Sequence, residues 1–259
     1  KTTTTLLIQK MLSQAGIKTG VLSTVAYGID DDIKPQIEHI TTAQASVLQR
    51  RLRDFKRAGV EWVVLESSSH SLAQHRTWGV PYEIAVMTNV TYEHLDYHRT
   101  FERYLAAKRR LFTLAAKNGR KFGVVNAEDP NAQKFIDSVP RSVTYGIKKG
   151  KLRASKIKLA GDHSTFTAKI DKDTYDIRIN IPGDFNVSNS LAAVAVGREV
   201  GLTKNQIEKG IAALAGVEGR MSVVDAGQKF KAIVDFAGTP DAFTRLFSGL
   251  RPATKGKLV

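Results

Sequence analysis

The chain has 259 residues, 42% of them apolar, and a net charge of +14 from 39 basic and 25 acidic side chains. That length suits one large α/β domain or two smaller ones around a substantial core. The absence of Cys excludes disulfides, thiolate metal sites and cysteine nucleophiles, and no apolar run reaches the ~18 residues of a membrane-spanning helix. The excess of cations points to an anionic partner, either nucleic acid or a phosphate-rich small molecule. The cations are dispersed, with no zinc-finger spacing and no basic stretch interleaved with aromatics, which favours the small molecule. A chain without cysteine is also compatible with the cytoplasm.

The first residues, Lys1-Thr2-Thr3-Thr4-Thr5, match the back half of a phosphate-binding loop, G-x-x-x-x-G-K-[ST], without its glycines. In such a loop the lysine pairs with the β- and γ-phosphates and the next hydroxyl sits on magnesium. A capped helix start is the plainer alternative. The motif leads us to expect a piece of a longer protein. Residues 6 to 15 read as a helix with Leu7, Met11, Leu12 and Ala15 on one stripe and a stop at Gly16. A strand over Gly20 to Thr24 follows, then a helix carrying Val47, Leu48, Leu52 and Phe55 that ends near Gly59. Trp62 to Leu65, Ile84 to Met87 and Phe122 to Val125 are short continuous apolar strands. Such strands alternating with helices predict a mostly parallel sheet covered on both faces.

Residues 142 to 182 change character. They alternate with a period of two, most clearly at Tyr175, Ile177, Ile179 and Ile181, with turns at Gly161-Asp162 and Asp171-Lys172-Asp173. This predicts an antiparallel β segment appended to the parallel sheet. A helix through Leu191, Val194, Ala195 and Arg198 comes next, then another from about Lys204 to Leu214. A strand from Ala232 to Phe236 begins a new unit, with the boundary near residue 218, and Lys255 to Val259 reads as the start of a further strand.

Ligands of open α/β sheets bind at the carboxyl ends of the strands. Glu66 with Ser67, Ser68, Ser69 and His70 lies at one such end, Thr88 and Asn89 with His94, Asp96 and His98 at a second, and Asn126 with Glu128 and Asp129 at a third. Singly, each is a cap or turn residue. Together they bring acids, hydroxyls and imidazoles to one edge, where a carboxylate can hold Mg²⁺. His94-x₃-His98 would put two imidazoles on one helix face, but a third zinc ligand is missing. Lys108 is the anomaly. On a helix from Phe101 to Ala116 it shares the apolar stripe of Tyr104, Leu111, Phe112 and Ala115. An inward lysine is costly unless it is paired, neutralised or modified, or unless its stem carries the charge back to water.

The ordered series KTTTT, ESSSHSLAQHR, TNVTYEHLDYH, YLAAKRRLF, NAEDP, GDFNVSNSLAA, GRM and VDFAGTPDAF closely resembles the Mur ligases over almost the whole chain. Within that family it is most similar to the branch that adds the third amino acid to a UDP-muramoyl dipeptide. The resemblance implies an ATP-dependent ligase acting in the cytoplasm through an acyl phosphate. It also implies a central ATP-binding domain over 1–217 and the start of a Rossmann-like C-terminal domain over 218–259. Lys1 and Thr2 would hold ATP phosphates and magnesium, and Glu66 would ligate the magnesium between them. His94 would bind a second magnesium, reached also by a carbamylated Lys108, which would resolve the inward cation. Asn89, Asn186, Asn189, Arg220 and Asp235 would belong to the ATP site. Thr41, Thr42, Ser68, Gln74 and Arg76 would contact the UDP-muramoyl dipeptide. Neither nucleic acid nor membrane is expected as a partner.

The chain departs from the family pattern at several points. The phosphate-loop glycines before Lys1, the uridine-binding domain and the region selecting the incoming amino acid are not in the sequence. The family's D-Y-A-H-T-P-D reads Asp235-Phe236-Ala237-Gly238-Thr239-Pro240-Asp241, so Gly238 replaces a histidine near the nucleotide, and Glu93 replaces the usual Asp before His94. The alternatives are another ligase on this scaffold, such as a cell-wall amidotransferase subunit or a cyanophycin-type enzyme, and a degenerate nucleotide-binding module. A nucleic-acid-dependent ATPase would show steeply salt-dependent binding.

Overall fold

A computed structural model describes residues 1–37, 40–251 and 254–259. The first helix, α1 (Thr2–Gln14), leads into β1 (Thr19–Leu22), a hairpin of β2 (Ala26–Ile29) and β3 (Asp32–Pro35), α2 (Ala45–Arg57) and β4 (Trp62–Leu65). The short helix α3 (Ser69–Ala73) precedes β5 (Ile84–Met87), α4 (Leu95–His98), α5 (Phe101–Ala115), β6 (Phe122–Asn126) and α6 (Ala132–Ile136). Then come β7 (Arg141–Gly146), β8 (Leu152–Leu159), β9 (Ser164–Ile170), β10 (Asp173–Ile179), α7 (Asp184–Val200) and α8 (Lys204–Ala212). A smaller unit of β11 (Ser222–Val224), β12 (Ala232–Val234) and α9 (Pro240–Leu250) ends the described chain.

The fold is the expected α/β arrangement. Parallel pairing joins β1 to β4, and β5 through β8 in sequence, while antiparallel ribbons extend both outer edges. Strands β1 to β10 fall into two hydrogen-bonded sheets, of orders β3-β2-β1-β4 and β10-β9-β8-β7-β6-β5, so β4 and β5 each end a sheet, and β11 and β12 pair antiparallel in a separate two-stranded one. Successive strand residues alternate between two apolar clusters: Val124 faces the cluster of α1, α7 and α8, and Val125 faces that of α5 and α6. Covering both faces is what allows strands such as β6 to be apolar throughout.

Local differences from the sequence reading have simple causes. Residues 141–146 pair in parallel with β6, so the antiparallel segment begins only at β8. Ladder partners, not alternation, set that boundary. The sequence reading also passed over the β2–β3 hairpin, whose apolar residues are few, and α9, although its Phe243, Leu246, Phe247 and Leu250 follow helical spacing. The strand expected over Lys255 to Val259 is not formed. The described residues there are irregular, and an isolated strand leaves its backbone groups unpaired.

Helix α1 is the hub of the larger cluster, with Leu7, Met11 and Leu12 fully buried against α7 and α8. Gly210 of α8 allows that approach, because a Cβ there would lie 2.6 Å from the Met11 Cα. Gly210→Ala should therefore lower stability by about 1–3 kcal/mol through overpacking. Gly249→Ala, where a Cβ in α9 meets nothing within 4 Å, should be neutral or stabilising by up to about 1 kcal/mol. Urea midpoints of the two variants check the contrast.

Candidate active-site cleft

The carboxyl ends of β1, β4, β5 and β6 and the start of α1 meet in one polar region. Glu66 follows β4 directly and is 4% exposed. Its Oε1 accepts a hydrogen bond from the Thr2 hydroxyl at 3.2 Å, and its Oε2 accepts from the Thr24 N–H at 3.1 Å. Its carbonyl accepts from the Thr42 hydroxyl at 2.8 Å. Among the described residues no lysine or arginine forms an ion pair with this carboxylate. A buried anion held only by neutral donors favours a cation beside it. The Arg220 guanidinium donates to the Thr2 hydroxyl from the other side at 3.2 Å.

The asparagines of α7 approach α1 next to this cluster. The Thr4 hydroxyl donates to Asn189 Oδ1 at 3.1 Å, Asn189 donates to Asn186 Oδ1 at 2.9 Å, and Asn186 donates to the Pro182 carbonyl at 2.8 Å. Asp235 stands further out, its Oδ2 accepting from the Met221 N–H at 2.8 Å and pinning the loop that carries Arg220.

Lys108 points inward as its position on the stripe requires. Tyr104, Phe112 and Ala115 are buried beneath it, and its Nζ donates to the Asn89 carbonyl at 3.3 Å and lies 4.8 Å from the Tyr104 ring centre. It lines a small cleft of about 50 Å³ together with Lys1, Ser67, Thr88 and Asn89. The stem is partly open to that cleft while the ammonium is ringed by protein. Burial first, and then the charge of Lys1, pull its pKa from 10.5 down to about 7, against the opposing pull of Glu93 and Asp129.

His94 departs from the sequence expectation. It caps α4 in a left-handed conformation (φ 57°, ψ 33°) and is not on a helix face with His98. The two rings converge on a third, His70, at 4.7 and 5.4 Å between ring centres. His98 is buried and pairs through Nε2 with the Ser69 hydroxyl at 3.0 Å. Burial, then the neighbouring His94, hold His70 and His98 below the usual histidine value, favouring neutral imidazoles. The Glu93 carboxylate spans from His94 Nε2, at 3.5 Å, to the Tyr104 hydroxyl, at 3.4 Å. No three His, Asp or Glu side chains among the described residues could hold a metal by themselves.

The remaining positions form a second polar patch on the Glu66 side. Thr41 bonds the Thr24 hydroxyl at 3.2 Å, the Ser68 N–H donates to the Thr42 hydroxyl at 3.1 Å, and Arg76 donates to the Thr42 carbonyl at 3.1 Å and to Gln74. Thr24 is a structural partner that the sequence reading did not place at the site, while His70 and Asp129, whose Oδ2 accepts from the Val90 N–H at 2.6 Å, were placed at the strand ends but given no role. The only signal for them was their place just beyond a strand end.

Fold and cleft together define an α/β protein with a polar site at the strand ends: a helix N-terminus, a hydroxyl, a buried carboxylate and several cations. A model of the Mur ligase middle domain matches residues 1–197, and the chain belongs to the Mur ligase family. It is 37% identical over 273 residues to the UDP-N-acetylmuramyl-tripeptide synthetase of Roseiflexus sp. (strain RS-1), covering 100% of this chain and 54% of that protein. It is 38% identical over 262 residues to the UDP-N-acetylmuramoyl-L-alanyl-D-glutamate–2,6-diaminopimelate ligase of Geobacillus thermodenitrificans, covering 98% of this chain and 53% of that one. Among solved structures, a UDP-N-acetylmuramoyl-L-alanyl-D-glutamate–2,6-diaminopimelate ligase superposes with a TM-score of 0.81 at 30% identity, covering 97% and 51% of the two chains. The chain thus spans about half the length of the relatives it matches.

The lowered pKa of Lys108 has a signed consequence for stability. Between about pH 7 and 10.5 the unfolded chain keeps a proton that the folded chain has lost, so wild-type stability rises with pH across that window. Lys108→Met removes the buried ammonium. In bicarbonate-free buffer it should be more stable than wild type at and below pH 7, with the gap closing toward pH 10.5. Thermal midpoints of the two proteins across that range check this.

Proposed function

We propose that this chain carries the ATP-binding and phosphoryl-transfer site of a Mur-type ligase that adds the third amino acid to UDP-N-acetylmuramoyl dipeptide in peptidoglycan precursor synthesis. The observation that carries the reading is the pairing, in one region, of a buried uncompensated Glu66 on the Thr2 hydroxyl with an inward Lys108 whose amine is half neutral near pH 7. Similarity to a tripeptide synthetase over the full chain supports the choice of step. On this reading residues 1–217 form the central domain and 218–259 belong to a C-terminal domain.

Lys1 and the α1 N-terminus would hold the ATP phosphates, with Arg220 beside them. Thr2 and Glu66 fit one Mg²⁺, and His94 with Lys108 fit a second. An incomplete protein ligand set suits magnesium, which keeps water and phosphate oxygens in its shell. The bound ions would supply charge neutralisation for phosphoryl transfer. A neutral lysine amine is the form that adds CO₂, so the depressed pKa prepares Lys108 to become a carbamate, which turns a repelling cation into an anion. Asn89 would orient it through the carbonyl it already contacts.

The dipeptide carboxylate would be held near Thr41, Thr42, Ser68, Gln74 and Arg76. It takes the γ-phosphoryl group, and the amine of the incoming amino acid attacks the acyl phosphate and expels phosphate. The chain's part is to position anions and neutralise their charge. Asn186, Asn189 and Asp235 would keep the nucleotide side of the cleft in place, acting in a cytoplasmic enzyme.

Phosphate release from ATP by the full-length protein, with UDP-muramoyl dipeptide and either meso-diaminopimelate or L-lysine, tests the reading. Release should require the dipeptide and one of the amino acids, and Lys108→Ala should cut it by at least about 100-fold, the scale of losing a charge-stabilising group. ATP binding with no release for either amino acid would move the assignment to a sister ligase or a degenerate module. Glu66→Gln should separately abolish the rise in thermal midpoint that Mg²⁺ with ADP confers on wild type.

A further inference from the structure

Helix α2 presents a charged face that the proposed ligation does not use. Leu48 and Phe55 are buried under the helix, and Leu52 packs beside them. Opposite that stripe, Arg50, Arg53 and Arg57 stand at i, i+3 and i+7, so they form one row along the solvent side. All three are exposed, as is Lys56 next to them. Arg53 pairs with the adjacent Asp54 at 2.9 Å, and among the described residues no carboxylate forms an ion pair with Arg50, Lys56 or Arg57.

A basic row is commonly no more than a solvated face. The flanks of this one set it apart. Gln49 and Arg51 leave the helix on opposite sides of the row. Gln49 Nε2 donates to the Trp78 carbonyl at 2.9 Å. Arg51 donates to Gln36 Oε1 at 3.3 Å and covers the Tyr27 ring, 4.1 Å from its centre. These contacts fix Trp78 along one flank of α2 and Ile37, the neighbour of Gln36, along the other. Trp78 is 73% exposed and Ile37 84%. Both stand outside the three apolar clusters of the described residues.

We infer that the outer face of α2, with Trp78 and Ile37 at its sides, docks the protein on an anionic lipid surface. The arginines match the charge of the headgroups, an indole favours the headgroup level, and an aliphatic side chain gains by entering the acyl boundary. Nucleic acid would use the cations and could stack on Trp78, but it offers nothing to an exposed isoleucine. No helix among the described residues is long and apolar enough to cross a membrane, so the contact is peripheral. The inference departs from the absence of a membrane partner that the family resemblance implied, and it does not depend on the ligase reading. Thr42 lies just before α2 and Arg76 just before Trp78, so docking would hold the proposed dipeptide side of the cleft near the bilayer.

Cosedimentation of the full-length protein with lipid vesicles tests this. Wild type should bind vesicles of phosphatidylcholine mixed with phosphatidylglycerol but not phosphatidylcholine alone, and added salt should weaken binding. Arg50→Glu with Arg57→Glu should lower the partition at least about tenfold. Trp78→Ala should lower it several-fold with the charge unchanged. Lys148→Glu with Lys149→Glu, which makes the same charge change beyond β7 in the other sheet, should have little effect. All these side chains are exposed, so the fold should persist, as circular dichroism would verify. Should the reversed α2 pair fail to fold, Trp78→Ala and the lipid comparison on wild type still decide. Wild type that ignores anionic vesicles would overturn the inference. Equal losses from the two charge-reversed pairs would overturn it too, since net charge alone would then explain the attraction. Vesicle binding that is indifferent to Trp78, and is matched by binding to a single-stranded oligonucleotide, would overturn it in favour of nucleic acid.

Discussion

The structure turns on the buried Glu66 carboxylate. Through its two oxygens and its carbonyl it joins the start of α1, the loop after β1 and the loop before α2, which are far apart in sequence. Burying a carboxylate without an ion pair is unfavourable, so the segments around it are arranged to donate hydrogen bonds to it. That arrangement explains why four successive threonines can be buried at the start of α1. The Thr2 and Thr4 hydroxyls serve Glu66 and Asn189 while the leucines of the same helix fill the core.

Lys108 is the second constraint, and it is set up by backbone geometry some distance along the chain. Helix α5 begins at Thr100, whose side chain caps it, and Arg99 just before it sits at φ 70°, ψ −45°. The Thr100 N–H closes this tight turn on the His98 carbonyl at 2.8 Å. Such a conformation is strained for a residue with a Cβ. It swings α5 away from α4 so that Lys108 reaches Asn89 while His98 stays packed on Ser69. The histidines and the lysine are then held around Tyr104, whose ring lies 5.4 Å from His98 and 4.8 Å from the Lys108 ammonium. Local strain and a desolvated cation are tolerated together because the rest of α5 is anchored by Phe112 and Ala115 in a well-filled core.

Much of this could be read along the chain because the relevant signals are local. Continuous apolar runs of four or five residues located β4, β5 and β6, since strands buried on both faces cannot alternate. The stripe of Tyr104, Phe112 and Ala115 exposed the orientation of Lys108 because helical periodicity holds over four turns. The same reasoning failed for His94 and His98, where a left-handed residue breaks the helical spacing and a third histidine from another loop completes the cluster. It failed also for the division into two hydrogen-bonded sheets, because strand pairing is a relation between segments and leaves no mark within either one.

By itself, then, the sequence determined the α/β class, the stripe that turns Lys108 inward, and the motif series that identifies the family, all of which depend on residue type at short spacing. Tertiary structure alone decided that Thr2, Glu66, Thr24 and Arg220 form one cluster, that Lys108 meets the carbonyl of Asn89, and that the Arg220 guanidinium lies between the Phe236 ring and the start of α1. Those contacts join residues up to 218 positions apart. They exist because sheet and helices, packed to bury their apolar faces, carry the strand ends and the α1 N-terminus to the same side of the molecule, a consequence of packing that no local pattern encodes.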